Sequence, residues 1–306
     1  MDNSAEISDF LRTRRARISP DQADLYAYGG QRRVPGLRRE EVAIIAGVSV
    51  DYYARLERGT LNGVSDEVLA AIARALQLDD AEIAYLFDLA RAARESPALR
   101  RAVAPEPRPQ PQHVRPSVQR LLDAWVGAPA WIRNERMDFL AANELGSALY
   151  SALFANPANA ANNARFVFLD PASREFYPDW EHGANDLGAI LRSTAGRNPS
   201  DRALAALIEE LSTQSEEFRI RWADHHVRFH RTGVKRLHHP VVGDLELAYE
   251  AMELPADPGL TLFAYTAEPG SRSAERLRLL ASWAATTDAP GWPGHAPTEA
   301  SASLTA

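Results

Sequence analysis

Arginine is the residue type this sequence concentrates where chemistry could follow. Between residues 11 and 58 ten arginines face six acids, a local net charge of +4, although the 306-residue chain as a whole carries −7. A local basic face suits phosphate oxygens, because binding to a nucleic-acid backbone draws on counterion release at the contacted phosphates and not on total charge. Histidine is the second concentration: His225, His226, His230, His238 and His239 all fall within residues 225–239. Imidazoles at this density suit a zinc-type metal, but these span a helix end and a strand with no obvious carboxylate partner. The alternative places His225 near Trp222 as an interior or pocket-lining group, and His239 with Pro240 in a turn. Glu209 and Glu210 have the spacing of a solvated helix face. The chain has no cysteine, which excludes disulfides, thiolate metal sites and cysteine nucleophiles. It also lacks GxSxG, a phosphate-cradling glycine loop, HExxH and a dinucleotide fingerprint. The reading is therefore of no enzyme, no metal and no built-in cofactor.

Two helices and a turn must position the arginines. In GLRREEVAIIAGVSVDYYARLERG, residues 36–59, Gly47 sits where a helix holding Val42, Ala43 and Ala46 ends, and glycine accepts a left-handed backbone there. Ser49 is placed to cap the next helix, Val50 to Arg58, whose Tyr53 and Leu56 face inward. Helix, short glycine turn and helix is the arrangement that sets a second helix in the major groove of DNA. Ser49, Val50, Asp51, Tyr52 and Arg55 lie on the N-terminal face that would reach base edges. Tyr52 or Tyr53 can also simply pack, and Asp51 can simply complement the helix N-terminus. Glu57 reads as structural, paired with Arg14 or Arg15. The surrounding apolar stripes at spacings of three and four (Ile7, Phe10, Leu11; Val68, Leu69, Ile72, Ala73, Leu76; Ile83, Leu86, Phe87, Ala90) predict a small all-helical domain over residues 1–94, with Ser65 as an N-cap.

Prolines 97, 105, 107, 109, 111 and 116 then break the pattern, so residues 95–115 read as an extended, semi-rigid linker. Residues 116–285 change character. WIRNERMDFLAAN (131–143) predicts a hairpin. LELAYEAMEL (245–254) alternates Leu245, Leu247, Tyr249 and Ala251 against Glu246, Ala248, Glu250 and Met252, as a half-buried strand does, with neighbours at Val234–Leu237 and Leu260–Thr266. Phe166 and Phe168 alternate along another strand-like run, and SDRALAALIEELST (200–213) is helical. Five strands around inserted helices predict an α+β domain with an antiparallel sheet. Residues 286–306, rich in Ala, Thr, Pro and Gly, read as a disordered tail. No apolar run approaches the roughly 18 residues of a membrane span, and Asp2, Glu6 and Asp9 are unlike a signal peptide, so the expectation is cytoplasmic, without membrane contact.

The Gly47-Val48-Ser49 turn, with Ala43 before it and Glu57-x-Gly59 after it, resembles the lambda-repressor and Cro type of helix-turn-helix, also called the xenobiotic-response-element type. RRVPGLRREEVAIIAGVSVDYYARLERG is closer still to MmyB-like regulators. ARFVFLDPASREFYPDW, FRIRWADHHV, HPVVGDLEL and YTAEPGS resemble their ligand-binding domain. The resemblance implies a PAS-like fold for the second domain and a hydrophobic cavity for a small, largely apolar, fatty-acyl-like effector. It puts Arg39 at a phosphate-contacting position, and Arg38 beside it is also read as a DNA-binding residue. A loop from Ile18 to Leu37, longer than the usual repressor connection, adds Arg32 and Arg33, which could reach the backbone or be solvated. The expected partners are a double-stranded DNA operator, the effector and a second copy of the chain. For the cavity, Trp131, Phe139, Trp180, Trp222, Phe229 and Phe263 supply apolar surface, and His225, with Asn134 and Arg174, would fix the ligand's head. Two other readings are a DNA-binding interaction protein of antitoxin type, with no ligand, and a metal sensor built on the histidines.

Overall fold

Helices in the N-terminal region start and stop where the sequence supplies caps. A computed structural model describes residues 3–23, 35–61, 63–94, 113–224 and 232–286. It forms α1 (Asn3–Arg17), α2 (Arg39–Ala46), α3 (Val50–Glu57), α4 (Asp66–Ala75) and α5 (Asp80–Arg94). The Ser49 hydroxyl accepts from the Tyr52 N–H and that of Ser65 from the Val68 N–H. Gly47 ends α2 at φ +67°, in the left-handed region, where a Cβ would be strained. The stripes read from sequence converge: Ile7, Phe10, Leu11, Leu69, Ile72, Leu86 and Ala90 are buried together with Val42, Tyr53 and Leu56. Phe10 meets Tyr85 edge-on at 5.1 Å.

Beyond the proline-rich segment come α6 (Pro116–Asp123), β1 (Ala130–Asn134), β2 (Phe139–Ala142), α7 (Glu144–Leu149), α8 (Ser151–Phe154), α9 (Asn163–Leu169) and α10 (Ala172–Phe176). They are followed by α11 (Trp180–Arg197), α12 (Arg202–Gln214), α13 (Glu216–Ala223), β3 (Thr232–His239), β4 (Gly243–Glu253), β5 (Leu260–Thr266) and α14 (Arg272–Ala284). The chain divides into two compact units, Met1–Gln110 with Asn185–Phe229, and Pro111–Ala184 with His230–Ala306. Most of α11, and all of α12 and α13, thus belong with the N-terminal helices.

In the second unit the five strands form one antiparallel sheet, ordered β2-β1-β5-β4-β3. Its register places Trp131 opposite Phe263 and Tyr249 opposite Tyr265, so these rings share one face. On β4, Leu245, Leu247 and Tyr249 are buried while Asp244, Glu246, Ala248 and Glu250 are exposed, the alternation read from the sequence. The opposite face packs Ile132, Ala141 and Leu262 against Val118 and Leu122 of α6. Asn143 fastens the hairpin to α7: its side-chain oxygen accepts from Ala130 and Gly146, and its amide nitrogen donates to the Trp125 and Ala128 carbonyls.

Phe166 and Phe168 are not on a strand. They lie in α9, which starts because the Asn162 side chain accepts from the Ala164 and Arg165 N–H groups; a local cap outweighs the alternation of two rings. Both rings are nonetheless buried. Residues 95–112 of the linker and 287–306 of the tail lie outside the described residues, as do Arg32, Arg33, His225, His226, Phe229 and His230.

Candidate nucleic-acid interface and ligand site

The recognition helix is held from behind by an ionic knot. Glu57, on the buried side of α3, accepts from Arg15 through Nε at 3.0 Å and Nη2 at 2.6 Å, and from Arg39 Nε at 2.5 Å. Arg15 also donates to the Leu37 carbonyl at 2.8 Å. Of the two partners expected for Glu57, Arg15 is the one used; Arg14 pairs with Glu82 at 2.6 Å instead. Burial pushes the Arg14 pKa down to about 10, against the opposing pull of Glu82. The place of Arg39 in this knot was not read from the sequence. Its Nε is committed to Glu57, which raises its pKa, while half of the side chain stays exposed. Arg38 precedes α2, and its N–H donates to the Glu41 carboxylate at 2.6 Å.

The outer face of α3 presents Val50, Asp51 and Arg55 to solvent, with Ser49 exposed ahead of it and Tyr52 half-buried. The Arg55 guanidinium lies over the Tyr52 ring, 5.4 Å from its centre. Tyr53 and Leu56 point into the core. These side chains could offer donors, acceptors and apolar contact to groove edges in one line.

In the second unit Trp131, Phe139 and Phe263 come together on the inner face of the sheet. Trp131 stacks on Phe139 at 5.8 Å and on Phe263 at 5.7 Å, and meets Tyr150 and Tyr265 edge-on at 4.8 and 4.6 Å. Of the other expected pocket residues, Asn134, Arg174, Trp180 and Trp222 are not part of this cluster. Asn134 is buried, but its amide is occupied within the hairpin turn by Arg136, Asp138 and the Asp138 carboxylate. Arg174 is exposed and lies over the Trp180 ring at 3.9 Å, and the Trp180 indole N–H donates to the Val167 carbonyl at 3.1 Å. Trp222 belongs to the first unit, stacked on Phe218 at 5.4 Å. His225 and Phe229 lie outside the described residues.

Sequence reading missed Arg133. The guanidinium is enclosed among Tyr150, Tyr177, Tyr249 and Tyr265, and burial pushes its pKa down to about 10; it lies over the Phe263 ring at 4.4 Å. The signal was present, since the two-residue period that turns Trp131 inward turns Arg133 inward as well. A recess of about 230 Å³ borders this region, lined by Tyr177, Asp179, His182, Gly183, Val234, Lys235 and Arg236.

Of the histidines, His238 pairs with Asp244 at 2.6 Å on the surface. His239 is fully buried: Nδ1 accepts from the Val241 N–H at 3.2 Å, so Nε2 carries the proton and donates to the Ala148 carbonyl at 3.0 Å. Burial lowers its pKa from the usual 6.5. The unfolded chain therefore binds the extra proton first as pH falls, and the stability this neutral His239 supplies is full above about pH 6.5 and declines below it. His239→Gln, which keeps a donor for Ala148, should flatten the fall in melting temperature between about pH 7 and pH 5. An unchanged slope would assign the decline to other groups. Among the described residues no group of three or more His, Asp or Glu stands close enough to hold a metal, and no helix is long and apolar enough to cross a membrane.

Comparison with protein families gives two matches. A helix-turn-helix domain model matches residues 6–86, and the MmyB-like transcription regulator ligand binding domain matches residues 114–280, more than half of the chain. No curated protein matches. The first match contains α2, Gly47 and α3, the second contains the whole sheet, and the chain is thus a DNA-binding transcriptional regulator with a ligand-binding domain, belonging to the MmyB-like family.

Proposed function

We propose that a small, largely apolar molecule, fatty-acyl-like in its body, binds in the second unit and sets the affinity of α3 for a two-fold DNA operator in the cytoplasm. The ring cluster of Trp131, Phe139 and Phe263 on the inner face of the sheet carries this reading, because apolar walls with a few polar groups are what such a ligand needs. Two arrangements of the protein must differ in effector affinity for the ligand to act at all, and by linkage operator DNA then favours one liganded state. One α3 reads only a few base pairs, so a second copy would supply the other half-site, roughly 34–36 Å away. Sedimentation of a monomer both free and on DNA would remove the dimer from this scheme.

On the DNA side, the exposed Arg55 and Val50 would face base edges, with Ser49, Asp51 and Tyr52 beside them, and Arg38 and Arg39 would face phosphates. Arg55→Ala should change the ranking of operator variants, by ~1–3 kcal/mol where a base contact is lost. Arg39→Ala should weaken all sequences alike and lower the salt slope by about one phosphate's worth. Fluorescence anisotropy on a panel of duplexes at several salt concentrations separates the two. A uniform loss for Arg55→Ala would make Arg55 a phosphate contact, and absence of duplex binding at low salt would remove the DNA half of the proposal.

A further inference from the structure

Helix α1 is gripped on two sides, and each side leads to a different part of the chain. Ser4 and Arg15 lie about three helical turns apart, so they share one side. There the Ser4 hydroxyl donates to the Arg58 carbonyl at 3.4 Å, and the Gly59 backbone, at φ +91°, closes on Ser4 with no room for a Cβ. Arg15 holds Glu57 on the same side. All three contacts bear on the C-terminal end of α3 and the turn after it. Glu6 and Phe10 share another side, where Phe10 meets the Tyr85 ring and the Glu6 carboxylate accepts from the Tyr85 hydroxyl at 2.6 Å and from the Arg192 guanidinium.

Arg192 comes from α11, in the segment that matches the ligand-binding family, yet it packs within the first unit. Its guanidinium lies over the Trp222 ring at 4.1 Å and bonds the Trp222 carbonyl, so α13 steadies the fork that reaches Glu6. One turn further along α11, Gly196 lays bare backbone against the Tyr85 ring, and a Cβ there would collide with it. Tyr85 is buried and its hydroxyl is held by Glu6, so the ring has nowhere to turn. Apolar contact alone would hold these helices together but tolerate sliding; a directional ion pair fixes their register, the best-attested use of a buried pair. Packed helices move between discrete arrangements and do not deform smoothly, so a shift imposed at Glu6 is delivered along α1 to Ser4 and Arg15.

We propose that α1 relays the state of residues 185–223 to the recognition helix, with Arg192 as the positioning residue. Its grip on Glu6 sets α1, and α1 sets α3 through the Gly59 turn and Glu57. Coupling of this kind travels through contiguous packed and hydrogen-bonded groups, and every group in this chain of contacts belongs to the first unit. Arg192 touches no DNA and acts only through Glu6. The inference rests on α3 as the DNA-reading helix and gives the regulation proposed above a route, whatever the effector.

The test uses the full-length protein and a duplex that it selects from a random-sequence pool, with a scrambled duplex of equal length as reference. In wild type the selected duplex should slow amide exchange in residues 185–197 as well as in α1 and α3. The double variant Arg192→Met with Glu6→Leu replaces the ion pair by apolar contact and should melt near wild type. Its preference for the selected duplex over the scrambled one, read by anisotropy well below melting, should nevertheless fall at least about fivefold, the low end of usual coupling between linked sites. Exchange in residues 185–197 should no longer respond to the duplex. Arg192→Lys, which keeps the charge without the fork, should fall between. A merely structural pair would leave the preference and the exchange response of the double variant as in wild type, and that result overturns the relay. So does a wild-type protein whose residues 185–197 ignore the duplex. If the double variant melts far below wild type, Arg192→Lys decides, and an unchanged preference there overturns the relay. If wild type selects no duplex, the reading of α3 falls and the relay with it.

Discussion

Replacing Arg192 with methionine is expected to destabilise the first unit by about 3–5 kcal/mol, the usual consequence of removing one partner from a buried ion pair. Arg192 is 1% exposed and Glu6 7%. The guanidinium bonds the Glu6 carboxylate through one nitrogen and the Trp222 carbonyl through another, and lies over the Trp222 ring at 4.1 Å. Tyr85 completes the group, its hydroxyl donating to Glu6 at 2.6 Å, and burial beside that carboxylate holds the phenol pKa well above its usual value. Without Arg192 the buried Glu6 carboxylate loses a cationic partner. Glu6 and Tyr85 belong to α1 and α5, whereas Arg192 and Trp222 come from the segment matched by the ligand-binding family. The pair therefore ties helices of the ligand-binding sequence to the helix-turn-helix. Denaturant melts of Arg192→Met, Glu6→Leu and the double variant check the argument. The double variant should recover most of the loss, since apolar groups can replace a buried pair at little net cost. Strictly additive losses would mean that the two side chains do not act as a pair.

Glu57→Ala is expected to cost the helix-turn-helix about 2–4 kcal/mol, and to reduce DNA binding mainly through folding. The Glu57 side chain is 1% exposed and takes three charge-assisted bonds, while Arg15 is 15% and Arg39 51% exposed. The two arginines can turn to water once the carboxylate is gone, so the loss is smaller than for a fully enclosed pair. Glu57→Gln keeps acceptor geometry without charge and should fall between Ala and wild type. Thermal melts give the stability order, and anisotropy well below the melting temperature isolates recognition. A normal melt with abolished DNA binding would instead place Glu57 at the DNA surface.

Much of this was legible in local pattern. Gly47, Ser49 and the inward Tyr53 and Leu56 are short-range signals, each decided within one turn of helix. The alternation along β4 fixed which side chains face the core, because a one-residue slip would expose all of them. Phe166 and Phe168 misled because two rings two residues apart cannot distinguish a strand from a short capped helix. Arg133 was passed over because a charged residue between apolar ones reads as outward-facing unless the strand period is applied strictly. The grouping of residues 185–223 with the N-terminal helices was not legible at all: Glu6, Tyr85 and Arg192 are far apart in the chain, and no periodicity links them.

The side chain of Asn143 has both its donors and both its acceptor sites engaged, so the joint it makes depends on its remaining an amide. A chain without cysteine has no thiol to oxidise, and asparagine is among the residues that fail first with heat. Conversion of Asn143 to aspartate would replace the donor facing the Trp125 and Ala128 carbonyls with an ionised oxygen. Two attractions become two repulsions at the joint between the hairpin and α7. A single amide lost there would age the ligand-binding sheet of a molecule whose helix-turn-helix is still new.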